Sequence, residues 1–203
     1  MSDSDERTVQ LLERQGFREL VSSHLFTAGV VFAPTLDDKI MLLEHAREEL
    51  THFEVVSSLY EKLTGRSLFD HAATHASHLP APKTWLEAAV AGYLVDRAAA
   101  AQLRDYLNVK DARLGAVIRE IHEHEHEHQA AAETALLDQC RNNPAAALAA
   151  RPHVEKWFKV ALSVLDAQGG PDAERVGAAF AAGVRGTLAA CGLTVPESPR
   201  SDA

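Results

Sequence analysis

The sequence has little that would indicate a secreted, membrane or nucleic-acid-binding protein. Only two of its 203 residues are cysteines, Cys140 and Cys191. They lie far apart, which does not suggest a disulfide framework and fits reduced thiols in a cytoplasm. We see no signal-peptide pattern and no apolar run long enough to cross a bilayer. The formal net charge of −9 disfavours nonspecific binding to nucleic acid. We therefore expect a cytoplasmic protein with neither a membrane nor nucleic acid as its partner.

Aromatic residues and strand-like runs of Val, Ile and Thr are also scarce, with aromatics at 6% of the chain. Alanine, leucine, glutamate and arginine are abundant instead, and this composition favours an all-helical protein. The length is sufficient to bury a core without disulfides. We predict a single all-α domain over residues 1–203, with polar tails at about 1–6 and 197–203. No solenoid repeat and no nucleotide-binding glycine loop is present.

Helix breakers and caps divide the chain into four long helices and a shorter C-terminal set. The sequence Ala33-Pro34-Thr35 ends a first helix, and Thr35 is a suitable N-cap for a second helix that Gly65 ends. The predicted long helices cover about 7–31, 36–64, 84–107 and 111–142. Residues 145–166 favour one or two shorter helices, and a last helix runs to about residue 191 after the turn at 168–172.

Histidine and glutamate alternate from His122 to His128, near the middle of the fourth predicted helix. Apolar residues recur ahead of this run at spacings of four and three, at Leu114, Ile118 and Ile121. Continuing this stripe places Glu125 and His128 on the inward face of the helix. The other members of the run, His124 and His126 among them, are predicted to be surface charge.

A second pair of the same kind lies on the second predicted helix, where Glu49 and His52 fall within an apolar stripe that starts at Leu42. A carboxylate and an imidazole three residues apart on a helix project side by side, as two ligands of one metal ion must. One such pair is more often a surface feature than a metal site. Two pairs that both face inward favour a metal site.

Two further helices each offer one inward carboxylate. On the first helix this is Glu19, with Glu13 as the competitor, and on the third it is Asp96, which lies among small and apolar residues. The resulting set is Glu19, Glu49, His52, Asp96, Glu125 and His128. It matches the ligand pattern of ferritin-like di-metal carboxylate bundles. We therefore predict a ferritin-like four-helix bundle with additional C-terminal helices. Carboxylate and imidazole ligands suit two iron ions, with manganese as an alternative, better than structural zinc.

The sequence also resembles the catalytic-subunit family of the multicomponent phenylacetyl-CoA epoxidases, which are bacterial di-iron oxygenases. The resemblance covers about residues 14–199 and is carried by Arg14-Gln15, Ala33-Pro34-Thr35-Leu36, Tyr93-Leu94-Val95-Asp96, His128-Gln129 and Leu193-Thr194-Val195-Pro196. It implies that the six residues named above are the iron ligands. An aspartate at the position of Asp96 is characteristic of the family. Two positions depart from it, because His45 stands where the epoxidase has a lysine and Phe26 where it has an acidic residue.

The resemblance implies an O2-dependent enzyme that mono-oxygenates or hydroxylates a small organic substrate, with aromatic and acyl-CoA compounds as candidates. It also implies a reductase as electron donor, and assembly as a homo-oligomer or with a homologous subunit. Candidates for the substrate pocket are Tyr93, His45, Phe26 and Ala100. Tyr93 could instead be a core-packing residue, and His45 could instead donate or accept a hydrogen bond with a metal ligand. Other functions for the same bundle are iron binding with peroxide scavenging, and a non-catalytic subunit of an oxygenase complex.

Overall fold

The computed structural model describes residues 3–70, 72, 79–107, 111–167 and 173–196. Six long helices account for most of these ranges: α1 (Asp3–Gly29), α2 (Leu36–Thr64), α3 (Trp85–Tyr106), α4 (Ala112–Cys140), α5 (Pro144–Ala167) and α6 (Ala173–Ala190). The described ranges contain no β-strand. The predicted all-α class is therefore confirmed.

The helix ends are set by local side-chain chemistry. The hydroxyl groups of Thr35 and Thr84 accept hydrogen bonds from backbone N–H groups in the first turns of α2 and α3. The Asp111 carboxylate does the same for α4. These caps satisfy donors that have no partner within the helix. Gly65 ends α2 with a φ of 68°, a left-handed conformation that favours glycine.

Two predicted boundaries differ from the structure. Helix α1 begins at Asp3, where a polar tail to about residue 6 was predicted. Acidic residues stabilise a helix N-terminus, and Asp5 is also held by Arg113 of α4 at 3.1 Å. Residues 144–167 form a single helix that continues through Pro152. The tail at 197–203 lies outside the described residues.

The helices pack around a core to which all six contribute, with Leu12, Val56, Leu94, Ile118, Trp157 and Phe180 as one fully buried side chain from each. Helix α1 packs most extensively on α2, and α3 packs on α4, α5, α6 and α1. Because α5 and α6 cover α3, that helix is buried on more than one face. In the described part of the chain, no helix has both the length and the apolarity that a bilayer-spanning segment needs.

Candidate metal centre

The six predicted ligands all lie inside the bundle, and none is more than 3% exposed. Helix α1 contributes Glu19, α2 contributes Glu49 and His52, α3 contributes Asp96, and α4 contributes Glu125 and His128. By contrast Glu13, the alternative to Glu19, is only partly buried and accepts a hydrogen bond from the Tyr60 hydroxyl. The inward orientation predicted from the apolar stripes is therefore right for each helix.

Four of these residues converge on one point. Glu19, Glu49, His52 and Glu125 each offer one ligand atom, and these four atoms lie within 4.8 Å of one another. The His52 Nδ1 atom is 3.7 Å from Glu19 Oε2 and 3.7 Å from Glu49 Oε2. Ligand atoms about 2 Å from a shared ion have separations of this order. We call this group the first ion position.

His128 lies across Glu49 from that point. His128 Nδ1 is 3.1 Å from Glu49 Oε1, whereas His52 Nδ1 faces Glu49 Oε2. Each oxygen of one carboxylate therefore faces a different imidazole. Asp96 is buried close enough to Glu125 for the two charges to repel. As a candidate for another ion, we call Asp96 and His128, together with Glu49 and Glu125, the second ion position. Among the described residues, Asp96 and His128 are not part of the group whose ligand atoms lie within 4.8 Å of one another.

The far nitrogen of each imidazole is also held. His52 Nε2 lies 3.0 Å from His124 Nδ1, and the two rings are stacked. His128 Nε2 lies 2.7 Å from Glu48 Oε2. Such contacts orient an imidazole and fix which nitrogen faces the metal. His124 is exposed, as predicted, but its ring also contacts the candidate ligand His52, which the sequence did not indicate. It and Glu48 reach their partners between α2 and α4, a contact that periodicity within either helix does not reveal.

A buried arginine adjoins the first ion position and was not found from the sequence. Arg18 is 1% exposed, and its guanidinium lies 3.2 Å from Glu19 Oε1 and 3.9 Å from Glu125 Oε1. It also donates a hydrogen bond to the Ala99 carbonyl at 3.0 Å. Gln15 donates a second hydrogen bond to the same oxygen of Glu19. Glu19 is thus held through Oε1 and leaves Oε2 for an ion.

Burial and the neighbouring charges shift these carboxyl groups in different directions. Burial would raise the pKa of Glu19, but Arg18 and the neighbouring His52 imidazole outweigh it and lower that pKa to about 2. Burial and the Glu125 charge raise the pKa of Glu49 and of Asp96 well above their ordinary values. For Arg18, burial would lower the pKa, but the surrounding carboxylates outweigh it and raise it.

These residues fit a divalent metal ion. Four buried atoms of the candidate ligands have no hydrogen-bond partner: Glu19 Oε2, Glu49 Oε2, His52 Nδ1 and Asp96 Oδ2. Buried polar atoms without partners are costly, and bound cations would satisfy them. Oxygen and imidazole nitrogen ligands without thiolate suit iron or manganese. The two cysteines are buried near each other and are not in the cluster.

A small apolar cavity adjoins the second ion position. Its volume is about 30 Å³. Its walls come from α1, α2, α3 and α4 and include Phe26, His45 and Gly92. The His45 ring lies 4.2 Å from the His128 ring, and the Phe26 ring lies 5.6 Å from it. Burial, followed by repulsion from His128, lowers the pKa of His45 to about 4.

The other two pocket candidates lie elsewhere. Tyr93 is fully buried, with Arg97 over its ring and its hydroxyl directed to Thr187 of α6. Ala100 lines a separate cleft between α3 and α6. Neither residue lines the cavity beside His128, and for Tyr93 the structure shows the alternative, core packing. Because α3 is buried on several faces, its apolar pattern does not identify the one that faces the centre.

The family comparison agrees with this architecture. Residues 3–154 match the family model described as a ferritin-like domain of actinomycetes. The fold and the match place the chain in the class of ferritin-like helical bundles, and its buried Glu and His cluster is able to hold metal. The chain belongs to this actinomycete ferritin-like family. No curated protein matches it.

Proposed function

We propose that this protein is a di-iron carboxylate oxygenase that mono-oxygenates or hydroxylates a small organic substrate. The observation that carries the proposal is the position of Glu49, whose two oxygens face the Nδ1 atoms of two different buried histidines. A carboxylate in that position can bridge two ions. One ion alone would leave the second imidazole and the buried Asp96 without a cation.

Each residue then has a specific role. Glu19 and His52 would hold one ion, Asp96 and His128 the other, and Glu49 and Glu125 would be shared between them. When bound, two iron ions supply the chemistry that activates O2. The chain keeps the centre rigid, because Glu48 and His124 orient the imidazoles. It also keeps bulk water out, because the ligands are almost completely buried.

The apolar cavity favours an organic substrate. At about 30 Å³ it has room only for the reacting end of a substrate, next to His128. His45 is the one titratable side chain among its lining residues, in the part of the chain that the structure describes. We propose that the substrate inserts an uncharged end here and that His45 offers it a hydrogen bond.

The resemblance to the phenylacetyl-CoA epoxidases supports aromatic and acyl-CoA compounds as candidate substrates, a reductase as electron donor, and a homo-oligomer or a homologous subunit as partner. The two departures from that family, Phe26 and His45, contact each other at 5.2 Å and both line the cavity. Relative to the epoxidases, these two residues alter the cavity wall beside the proposed metal centre, while the six candidate ligands are retained. We therefore propose iron and O2 chemistry like that of the epoxidases with a different substrate.

The test combines metal analysis with product analysis. Protein loaded with Fe(II) without oxygen should hold about two ions per chain. On addition of labelled O2, a chemical reductant and a panel of aromatic acids and their CoA thioesters, mass spectrometry should detect a product with one labelled oxygen atom. Iron oxidation without incorporation into any compound would favour the ferritin-like iron-binding and peroxide-scavenging alternative. A failure to bind iron would contradict both functions.

A further inference from the structure

A cleft between α3 and α6 brings together arginines from both helices. Its volume is about 190 Å³, and it lies apart from the metal centre, since none of the six candidate ligands lines it. Arg97 and Arg104 of α3 and Arg175 of α6 are in its walls, and the described residues that line it include no acidic side chain. An arginine is not deprotonated in proteins. The cleft, which we call the arginine cleft, therefore gathers three permanent positive charges on a chain whose formal net charge is −9.

Small residues between the arginines keep the arginine cleft open. Along α3, Arg97, Ala100 and Arg104 follow one another at spacings of three and four, so they share one face of the helix. On α6, a Cβ atom built at Gly183 would meet no atom within 4 Å. Ala100 and Phe180 are buried and supply apolar surface to the cleft. A ligand in this cleft meets guanidinium groups and apolar surface together, as in other small-molecule sites.

Arg97 is held in position by its own contacts with the protein. Its guanidinium donates a hydrogen bond to the Glu133 carboxylate of α4 and lies over the Tyr93 ring, 5.4 Å from the ring centre. Glu133 in turn accepts a hydrogen bond from the Thr187 hydroxyl of α6 at 2.6 Å. A guanidinium that is already ordered loses little freedom when it binds a ligand, and its planar donors match the oxygen atoms of an anion.

Guanidinium groups on two different helices favour a phosphate over a carboxylate. A carboxylate has its two oxygens in one plane, and a single arginine can engage both of them in a bidentate pair. A phosphate monoester has three terminal oxygens and nearly two negative charges, so arginines on both walls can bind it at once. We propose that the arginine cleft binds the phosphate group of a small soluble phosphate ester, whose apolar part packs on Ala100 and Phe180. Binding at this cleft does not require metal.

The test measures binding of phenyl phosphate to the purified protein by isothermal titration calorimetry, at physiological ionic strength and about pH 7.5, where a phosphate monoester carries nearly two charges. Wild type should bind phenyl phosphate at least about fivefold more tightly than benzoate, which has fewer oxygens and less charge. It should also bind phenyl phosphate at least about fivefold more tightly than inorganic phosphate, which has no apolar part. No binding of phenyl phosphate, or equal binding of either comparison anion, would overturn the inference.

Variants locate the binding in the cleft. Arg104→Gln and Arg175→Gln should each weaken phenyl phosphate binding by about tenfold, because each removes a charge-assisted hydrogen-bond donor. Arg185→Gln removes an exposed charge of α6 outside the cleft and should bind like wild type. Gly183→Leu should block the cleft, whereas Gly186→Leu, also at an open position of α6, should not. All five positions are exposed, and circular dichroism checks that the variants fold. Equal affinity in the three arginine variants would overturn the inference.

Two further measurements distinguish the source of the phosphate and the role of the metal centre. Lipid headgroups and RNA carry the same phosphate chemistry. Binding to vesicles that contain phosphatidic acid, or to an RNA oligonucleotide, would overturn the assignment to a small ester if it is tighter than phenyl phosphate binding and is lost in Arg104→Gln. Iron content should be the same in Arg104→Gln and wild type, because Arg104 is not among the candidate ligands. Failure of phosphate binding is therefore separate from failure of the proposed function.

Discussion

In the proposed centre, both ion positions depend on Glu49, because each of its oxygens faces one imidazole. We expect Glu49→Ala to weaken iron binding by at least about 100-fold, more than the loss of a residue that only supports a ligand. The variant should stay helical, since the change removes a buried carboxylate whose pKa is raised in the metal-free protein. Iron content after gel filtration measures the effect. Glu54→Ala, at an exposed position of the same helix, should retain wild-type iron.

A substitution of His124 tests whether this residue supports the candidate ligand His52 or is only a surface residue. Its ring stacks on His52 and faces the nitrogen that points away from the centre. His124→Ala should therefore weaken metal binding by about 10- to 100-fold. His126→Ala is the matched control, because its exposed ring contacts His122. Equal metal affinity in the two variants would show that the contact with His52 does not orient it.

At the scale of one element, a substitution of Gly92 on α3 tests whether the cavity holds the substrate. A Cβ atom built at this glycine would meet no atom within 4 Å, and Gly92 lines the cavity. Gly92→Leu should fill the cavity, keep the iron and lower turnover by at least about tenfold, with a stability change within about 1 kcal/mol because added bulk and higher helix propensity oppose each other. Product formation and iron content are both measured for the variant and the wild type.

The control for Gly92→Leu is Gly186→Leu, since Gly186 of α6 also has open space at the Cβ position. It should turn over like wild type. Ala100→Leu, at the separate cleft between α3 and α6, should also leave the metal chemistry unchanged. Full activity of Gly92→Leu would reject the cavity as the place of the substrate.

The start of α3 is joined to α5 by one buried carboxylate. Glu87 accepts hydrogen bonds from Lys156 at 2.6 Å, from Trp157 Nε1 at 3.1 Å and from the Lys83 backbone at 2.9 Å. Glu87→Ala leaves the indole N–H of Trp157 without its acceptor and should cost about 1–3 kcal/mol of unfolding free energy. Chemical denaturation measures this cost. Glu155→Ala, at an exposed position of α5, is the control.

The Glu87 carboxylate should also make the stability of the protein depend on pH. Burial would raise the pKa of Glu87, but Lys156 and the other donors outweigh it and lower that pKa. A group with a lowered folded-state pKa stabilises the protein above its unfolded-state value and loses this contribution as pH falls through the folded value. Wild type should therefore lose stability below about pH 4.5. Glu87→Ala should lose less over that range.

For the whole molecule, metal removal should lower the melting temperature because an ion that binds only the folded state stabilises it by mass action. Without metal, burial and mutual repulsion raise the pKa values of Glu49 and Asp96. Their protonation stabilises the metal-free fold at acidic pH, and that contribution is lost as pH rises through the raised values. Protons also compete with metal for the ligands. The difference in melting temperature should therefore be large at pH 7.5 and narrow towards pH 5.5. A constant difference would contradict a buried centre.

The sequence by itself determined the helical framework and the inward ligand set. Caps at Thr35 and Thr84 and the break at Gly65 act over a few residues, so local chemistry is sufficient to place the ends of α2 and α3. A charged residue within an apolar stripe can be recognised from the sequence of that one helix. This is why Glu49 and Glu125 could be selected from among many exposed acidic residues.

Only the tertiary structure decided which side chains support the centre. The contacts of His124 with His52 and of Glu48 with His128 cross between helices that are far apart in sequence, and helix phase carries no information about such distances. Arg18 neighbours Glu19 in the chain, but successive helical residues point in different directions, so its approach to both Glu19 and Glu125 depends on how α1 packs against α4. Ala100 and Tyr93 lie away from the cavity beside His128 for a related reason. Helix α3 is covered on several sides, and only the packing of α5 and α6 shows which of its residues face those two helices.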